Sequence, residues 1–121
     1  MGNKILLVDD EPKLLLLVKS RLEASGYEVI TAADGEEALA MIPSEKPDLL
    51  VLDIMMPKID GLQVCTQVKN DPGLKQIPII ILTAKSQREA MIEAKKSRAN
   101  SYVVKPFRPE VLLAEVKKYL L

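Results

Sequence analysis

The sequence contains no histidine and no tryptophan, it has a single cysteine, and aromatic residues make up only 3% of the chain. Without histidine, a Ser-His-Asp or Cys-His nucleophilic arrangement is excluded, and so is self-phosphorylation on an imidazole ring. The lone Cys65 cannot form an intrachain disulfide, and no Cys/His zinc cluster can be assembled. Any chemistry in this chain has to use carboxylates, lysine, Ser/Thr hydroxyl groups or a bound metal.

Long hydrophobic runs are lacking as well. The longest apolar stretches are much too short to cross a bilayer, and residues 1–10 do not show the charged start and uninterrupted apolar stretch of a secretory signal. We therefore expect a protein without membrane association, located in the reducing cytoplasm. The few aromatic residues and the absence of a recognition motif predict no direct binding to nucleic acid.

The charges of the chain cancel, but they are unevenly distributed. The 121 residues include 17 basic and 17 acidic side chains. Residues 1–60 carry 6 basic and 12 acidic side chains, a balance of −6, whereas residues 61–121 carry 11 basic and 5 acidic ones, a balance of +6. At this length, and with 48% hydrophobic residues, we expect a single domain over residues 1–121.

Five short apolar runs recur along the chain, separated by segments long enough for helices. They are Lys4–Val8 (KILLV), Glu28–Ala32 (EVITA), residues 49–52 (LLVL), residues 79–82 (IIIL) and Ser101–Val104 (SYVV). Near-continuous hydrophobic runs are typical of strands that are covered on both faces, as in a parallel sheet. The alternation predicts an α/β fold, a (βα)5 unit with a doubly wound, five-stranded parallel sheet.

The segments between these runs carry signals for the ends of helices. Pro12 and Pro109 suit the first turns of the first and fifth helices; the first is expected to run to about Ser25, before Gly26, and the fifth to the C-terminus. The other three helices are expected to begin with a capping residue followed by Glu or Gln three positions later, at Asp34 with Glu37, Asp60 with Gln63 and Ser86 with Glu89.

Polar side chains follow four of the predicted strands. Asp9 and Asp10 come after the first strand, Asp53 after the third, Thr83 after the fourth and Lys105 after the fifth. Ligands of doubly wound sheets bind beyond the carboxyl ends of the strands. The topology therefore predicts that these five side chains converge in one crevice.

Three carboxylates in one crevice repel each other. Like charges about 4 Å apart repel by roughly 4 kcal/mol at an effective dielectric constant of about 20. A divalent cation together with the Lys105 ammonium group balances the negative charges of Asp9, Asp10 and Asp53. Oxygen-only ligands favour Mg²⁺, with Mn²⁺ possible and Ca²⁺ less suited. Such a site, completed by the Thr83 hydroxyl, is suited to holding a phosphoryl group.

At these positions the sequence resembles the receiver domain of two-component response regulators, the CheY-like phosphoacceptor module. The resemblance rests on ILLVDDEP at residues 5–12, PDLLVLDIMMPKIDG at 47–61, PIIILTA at 78–84 and YVVKPF at 102–107. It covers nearly the whole chain, and the four motifs follow one another at strand ends. It implies the flavodoxin-like strand order 2-1-3-4-5.

The resemblance also implies roles for individual residues. Asp53 is similar to the phosphorylated aspartate, and Lys105 to the ion-pair partner of its phosphoryl group. The Mg²⁺ ligands implied are Asp10, Asp53 and the main-chain carbonyl of Met55, with Asp9 acting mostly through water.

Two further residues are implied to take part in switching. Thr83 is similar to the hydroxyl that moves toward the phosphoryl group, and Tyr102 to the aromatic residue that changes rotamer with it. The Lys105–Pro106 peptide bond is expected to be cis. Pro57 and Gly61 match the family's loop after the third strand.

The sequence departs from the family pattern in two places. Arg98-Ala99 stands where the family usually has Gly-Ala, so the fourth helix is expected to end without the usual left-handed glycine. Met55 and Lys85 occupy the two positions that tune the lifetime of the phosphoryl group. Neither offers a group that orients an attacking water, so we expect a lifetime of minutes or longer.

These observations favour a phosphorylation switch that is not an enzyme in its own right, although it assists its own phosphorylation and dephosphorylation. A partner histidine kinase or phosphotransfer protein would donate the phosphoryl group to Asp53, which agrees with the missing histidine. The face of the fourth helix, fifth strand and fifth helix would then change and control a partner or effector, with a homodimer through this face as a further expectation. That face has a basic bias, with Lys85, Arg88, Lys95, Lys96, Arg98, Arg108, Lys117 and Lys118.

Two other functions use similar parts. A Mg²⁺-dependent phosphatase with an aspartyl nucleophile also needs Asp, Lys, Thr and Mg²⁺, but usually carries a second Asp two residues after the nucleophile, where this chain has Met55. A flavodoxin-like cofactor binder needs a Ser/Thr/Gly phosphate loop after the first strand and aromatic residues around the flavin. Here Asp9-Asp10-Glu11-Pro12 follows that strand, and aromatic residues are scarce.

Overall fold

The computed structural model describes residues 3–56 and 58–120, so Pro57 lies outside the described residues. Within them, five strands alternate with five helices in the predicted order. They are β1 (Lys4–Val8), α1 (Pro12–Ala24), β2 (Glu28–Ala32), α2 (Gly35–Glu45), β3 (Leu49–Asp53), α3 (Gly61–Asn70), β4 (Ile79–Thr83), α4 (Gln87–Ser97), β5 (Ser101–Val104) and α5 (Pro109–Lys117). The (βα)5 prediction is confirmed.

The strands form one parallel sheet in the order β2-β1-β3-β4-β5. The order implied by the family resemblance is therefore confirmed. Because β1 lies between β2 and β3, the strand order reverses there, and the carboxyl ends of β1 and β3 are neighbours at the switch point.

Successive side chains of each strand point to opposite faces, so the sheet supports two apolar cores. On one face, strand residues such as Leu6, Leu50 and Ile81 pack with α2, α3 and α4; on the other, Ile5, Val51 and Ile80 pack with α1 and α5. Both faces are covered, which explains why the strands are continuously hydrophobic and not alternating. Cys65 lies buried in the first of these cores, as expected for a small packing residue.

The predicted helix starts are confirmed by hydrogen bonds. The Asp34 carboxylate accepts from the Glu37 N–H at 2.8 Å, and the Ser86 hydroxyl accepts from the Glu89 N–H at 3.2 Å. At α3 the capping is reciprocal, because Asp60 and Gln63 each accept a hydrogen bond from the other's backbone N–H. Nowhere in the described part of the chain does a helix combine the length and apolar character needed to cross a membrane.

Three element ends differ from the prediction. β3 includes Asp53, which is paired with Leu82, and β4 includes Thr83, which is paired with Val104. Both polar residues are therefore held in the sheet ladder and not in the loops that follow. The expectation that the fifth helix reaches the C-terminus is wrong: α5 ends at Lys117, after which the Lys118 and Tyr119 amides bond to carbonyls three residues earlier.

The end of α4 keeps the usual geometry without glycine. Arg98 adopts the left-handed conformation, with φ of 65° and ψ of 26°. The Ala99 N–H donates to the Ala94 carbonyl at 2.9 Å, and the Arg98 N–H donates to the Lys95 carbonyl at 3.3 Å. This is the Schellman pattern, and its two hydrogen bonds offset the strain of a side chain at positive φ. The sequence expectation was right about the missing glycine, and the structure shows that arginine takes over its conformation.

Replacing Arg98 tests this strain. A left-handed conformation costs a residue with a Cβ atom about 1–2 kcal/mol, and glycine escapes that cost. We expect Arg98→Gly to be more stable than Arg98→Ala by about 1 kcal/mol in urea denaturation. Both variants lose the hydrogen bond from the Arg98 side chain to Asn70, so the comparison isolates the backbone. Equal stability of the two variants would contradict this assignment.

Candidate phosphoryl and metal site

The carboxyl ends of the strands bring the predicted polar residues together. Asp9 follows β1 directly, and its N–H donates to the Ala32 carbonyl of β2 at 3.2 Å. Lys105 follows β5, and its N–H donates to the Thr83 carbonyl at 2.6 Å. Together with Asp53 at the end of β3, these backbone contacts continue the sheet ladder to the edge of the crevice. The side chains of Asp9, Asp10, Asp53 and Lys105 meet at this edge of the sheet, and Thr83 ends the neighbouring strand β4.

Lys105 lies between two buried carboxylates. Its Nζ is 2.8 Å from Asp9 Oδ2 and 3.4 Å from Asp53 Oδ2. The exposed fraction is 0% for Asp9 and 3% for Asp53, so each carboxylate depends on protein partners for solvation. The peptide bond that follows Lys105 is cis, as the resemblance implied.

The remaining hydrogen bonds of the carboxylates come from the backbone. Asp9 Oδ1 accepts from the Glu11 N–H at 3.0 Å, and Asp53 Oδ1 accepts from the Met55 N–H at 3.2 Å. Met55 itself lies in the loop after β3, with 63% of its surface exposed. The loop after each strand thus fixes the orientation of the carboxylate at the strand end.

Asp9, Asp10 and Asp53 form the acidic cluster that the sequence predicts. A carboxylate oxygen from each of the three lies within 4.8 Å of the others, with Asp10 exposed. The three negative charges and the positive charge of Lys105 leave −2, which a divalent cation balances. The donor set consists of carboxylate oxygens, which suits Mg²⁺ or Mn²⁺. The residues present therefore fit the predicted metal.

Burial and charge shift the pKa values of this site. Loss of solvation and the nearby Asp9 raise the pKa of the Asp53 carboxyl above its ordinary value, and the Met55 N–H and Lys105 only partly oppose this. Burial would lower the pKa of Lys105, but its bond to Asp9 and its attraction to Asp53 outweigh burial and raise it. Lys105 is therefore charged at neutral pH, whereas the ionised form of Asp53 is disfavoured without a further cation.

This shift predicts how stability depends on pH. Because the pKa of Asp53 is higher in the folded state, the contribution of Asp53 to stability is full below its unfolded pKa and is lost as pH rises through its folded pKa. We expect Asp53→Asn to raise the denaturation midpoint at neutral pH in a chelator, with the gain shrinking in acid. Added Mg²⁺ should reduce the difference in denaturation midpoint between Asp53→Asn and the wild type, because the cation stabilises the ionised Asp53 carboxylate and not the asparagine amide. A gain that stays constant across pH would contradict this.

Thr83 is the last residue of β4, at the edge of the crevice, whereas Tyr102 lies inside β5, two residues before its end. Thr83 is fully buried, and its Oγ1 accepts a hydrogen bond from the Lys85 N–H at 3.1 Å. Tyr102 pairs with Ile81 in the ladder and packs, half-buried, against the core formed with α2, α3 and α4. Its change of rotamer stays a prediction.

Two features of the site were not predicted from the sequence. Lys85, which the sequence predicted as part of the basic face, has its Nζ 2.6 Å from Glu93 Oε2, and the Glu93 side chain is only 15% exposed. A Cβ atom added to Gly61 would lie 2.3 Å from the Asp53 carbonyl oxygen. Lys85 precedes α4 and Glu93 lies within it, so the periodicity of the helix does not indicate that the two side chains meet. The family resemblance identified Gly61 as a matching residue but did not show why glycine is needed at that position.

Comparison with known proteins agrees with this geometry. The sequence model of the response regulator receiver domain matches residues 5–117. The chain is 47% identical over 120 residues to the alkaline phosphatase synthesis transcriptional regulatory protein PhoP of Bacillus subtilis, covering 99% of this chain and 49% of PhoP. The chain spans about half the length of the curated relatives it matches.

Solved structures show the same fold. The chemotaxis protein CheY4 of Vibrio cholerae has 38% sequence identity and a TM-score of 0.89, covering 97% of this chain and 98% of CheY4. The response regulator TrrA of Thermotoga maritima, in complex with Mg²⁺-BeF, has 42% identity and a TM-score of 0.86, covering 98% and 99%. Site, sheet order and family match all agree, and the chain belongs to the receiver domain family of two-component response regulators.

Proposed function

We propose that this domain, over residues 1–121, is a phosphorylation switch in which Asp53 accepts a phosphoryl group from a partner histidine kinase or phosphotransfer protein. One observation carries the proposal: Asp53 lies buried at a strand end, 3.4 Å from the ammonium group of Lys105 and beside the buried Asp9. A carboxylate in that position has a cation next to the place where negative charge develops when its oxygen attacks.

The chemistry assigned to the residues follows from their atoms. An Asp53 carboxylate oxygen attacks the phosphorus atom, a new P–O bond forms, and the bond to the donor nitrogen breaks. Lys105 stabilises the oxygens of the transferring group, and the Thr83 hydroxyl donates a hydrogen bond to one of them. Asp9, Asp10, Asp53 and the Met55 carbonyl would hold Mg²⁺, which supplies charge neutralisation when bound.

The output of the switch is proposed to be the face formed by α4, β5 and α5. Phosphorylation changes a charge of −1 on Asp53 to nearly −2. Thr83 and Tyr102 respond to that charge, and the face changes its population of conformations and hence its affinity for a partner, an effector domain or a second copy. PhoP is a transcriptional regulatory protein of about twice this length, so an attached effector is one form that this output takes.

Labelling with acetyl phosphate tests the proposal. Incubation with acetyl phosphate and Mg²⁺ should add the mass of one phosphoryl group to the intact chain, and the gain should disappear in Asp53→Asn or with a chelator. Glu45→Gln is a matched control. It also replaces a carboxylate by an amide, but in an ion pair with Lys4 at the amino-terminal end of β1, away from the site. Labelling that persists in Asp53→Asn refutes the assignment.

The same experiment separates the alternative functions. Sustained turnover of phosphomonoesters would support the aspartyl-nucleophile phosphatase instead. The phosphatase lacks support at Met55, since a thioether cannot act as the acid or base that such an enzyme places two residues after its nucleophile. A yellow protein as purified would support the flavin binder.

The lifetime of the phosphoryl group is a separate prediction. Met55 has no group that orients water, and the Lys85 ammonium is bound to Glu93 at 2.6 Å. We therefore expect labelled protein, freed of acetyl phosphate and kept in Mg²⁺, to lose its phosphoryl group with a half-life of minutes or longer. Intact mass measured over time checks this, and a half-life of seconds would contradict it.

A further inference from the structure

A polar chain connects the middle of α4 to the Thr83 hydroxyl. The Lys85 N–H donates to Thr83 Oγ1 at 3.1 Å, and the Lys85 ammonium donates to Glu93 Oε2 at 2.6 Å. Lys85 thus has its backbone on the buried hydroxyl at the crevice and its side chain on α4. Thr83 can move away from the Lys85 N–H only by breaking this hydrogen bond or by pulling Lys85 away from Glu93.

The Glu93 end of this attachment is the more buried one, since 41% of the Lys85 side chain is exposed and solvent screens the pair there. The side chain of Glu93 is 15% exposed, and its Oε1 atom is buried with no hydrogen-bond partner among the described residues. A carboxylate that has lost much of its water depends on its remaining cation, so a Glu93 side chain separated from Lys85 would keep a largely buried charge without a partner. The Ser97 hydroxyl also donates to the Glu93 carbonyl at 2.8 Å, which ties this residue to the C-terminal part of α4.

We infer that Glu93 is a positioning residue that acts through Lys85 to hold the Thr83 hydroxyl in its present place and so slows phosphorylation of Asp53. This inference rests on the proposed function. Glu93 acts indirectly, through the side chain and the backbone N–H of Lys85. It sets how readily the loop between β4 and α4 releases Thr83 toward a group bound at Asp53, and it keeps Lys85 on α4.

The test is the rate of labelling by acetyl phosphate at saturating Mg²⁺. Glu93→Gln keeps the size of the side chain and a hydrogen-bond acceptor but removes the charge. We expect its maximal labelling rate to rise about three- to tenfold over the wild type, in line with a lost charge-assisted hydrogen bond. The concentration of acetyl phosphate at half-maximal rate should change little, because binding of the donor does not involve Glu93.

Two further measurements separate positioning from general loosening of the fold. In a Thr83→Ala background the effect of Glu93→Gln should vanish, since the hydroxyl through which it acts is gone; a merely structural effect would persist. Glu45→Gln, which breaks the Lys4 pair at the amino-terminal end of β1, should leave the rate unchanged.

The outcomes distinguish this inference from the proposed function. A wild-type chain that is not labelled overturns both. A labelled wild type with an unchanged or slower rate in Glu93→Gln overturns the role of Glu93 alone. So does an equal rate increase in the presence and absence of the Thr83 hydroxyl, because Glu93 would then act by another route.

Discussion

Lys105→Met is expected to lower the free energy of unfolding by about 3–5 kcal/mol at neutral pH and to abolish labelling by acetyl phosphate. The substitution keeps the length and apolar stem of the side chain but removes the cation that serves both Asp9 and Asp53. The two buried carboxylates of Asp9 and Asp53 then lie close together without a cation. Removing one partner of a buried ion pair destabilises the fold by much more than the intact pair stabilises it, because a buried charge is left unpaired. Urea denaturation in a chelator measures the loss.

The loss should depend on pH and on divalent cations. In acid, protonation of Asp53, whose pKa is raised by burial, removes the repulsion, so the difference between the variant and the wild type should shrink. Mg²⁺ should also recover part of the stability of the variant. Lys4→Met is the matched control: the Lys4–Glu45 pair spans 3.0 Å with both side chains partly exposed and screened by solvent, so we expect a much smaller loss of stability than in Lys105→Met. Equal losses in both variants would contradict the role assigned to Lys105.

The features that local chemistry determines were predictable from the sequence. Strands covered on both faces have to be apolar throughout, and the runs at Lys4–Val8, Glu28–Ala32 and Ser101–Val104 match the strands residue for residue. Capping requires an oxygen acceptor before the first helical turn, and Asp34 and Asp60 supply it. The convergence of the site followed too, because a parallel sheet collects strand ends at one edge, even for Asp9 and Lys105, which are far apart in the chain.

The features that the sequence did not indicate depend on contacts between distant segments, or on hydrogen bonds that offset backbone strain. Polar Asp53 and Thr83 read as loop residues, because nothing local shows that the ladder continues through them. Arg98 at positive φ was not anticipated, since glycine is the usual residue there and the two Schellman hydrogen bonds become visible only in the structure. The Lys85–Glu93 pair joins a loop to a helix and follows no helical periodicity.

The tightest steric contact at the site concerns Gly61, the first residue of α3. A Cβ atom there would lie 2.3 Å from the Asp53 carbonyl oxygen and 2.9 Å from both the Asp53 carbonyl carbon and Ile54 Cα. All three are backbone atoms at the end of β3, so no side chain can swing away. Either α3 or the end of β3 has to move by a distance comparable to the overlap.

Gly61→Ala is therefore expected to lower the free energy of unfolding by about 3 kcal/mol or more, at the upper end of overpacking penalties. It should also suppress labelling of Asp53 in the molecules that remain folded, because the strand end that presents the carboxylate is displaced. Gly73→Ala is the control, since its Cβ would meet only Asp71 Oδ1, at 3.4 Å, and we expect a change within about 1 kcal/mol. Denaturation midpoints and the labelling rate below the transition measure both effects. If Gly61→Ala were as stable and as readily labelled as Gly73→Ala, the close approach of α3 to the phosphoacceptor strand would not constrain the site.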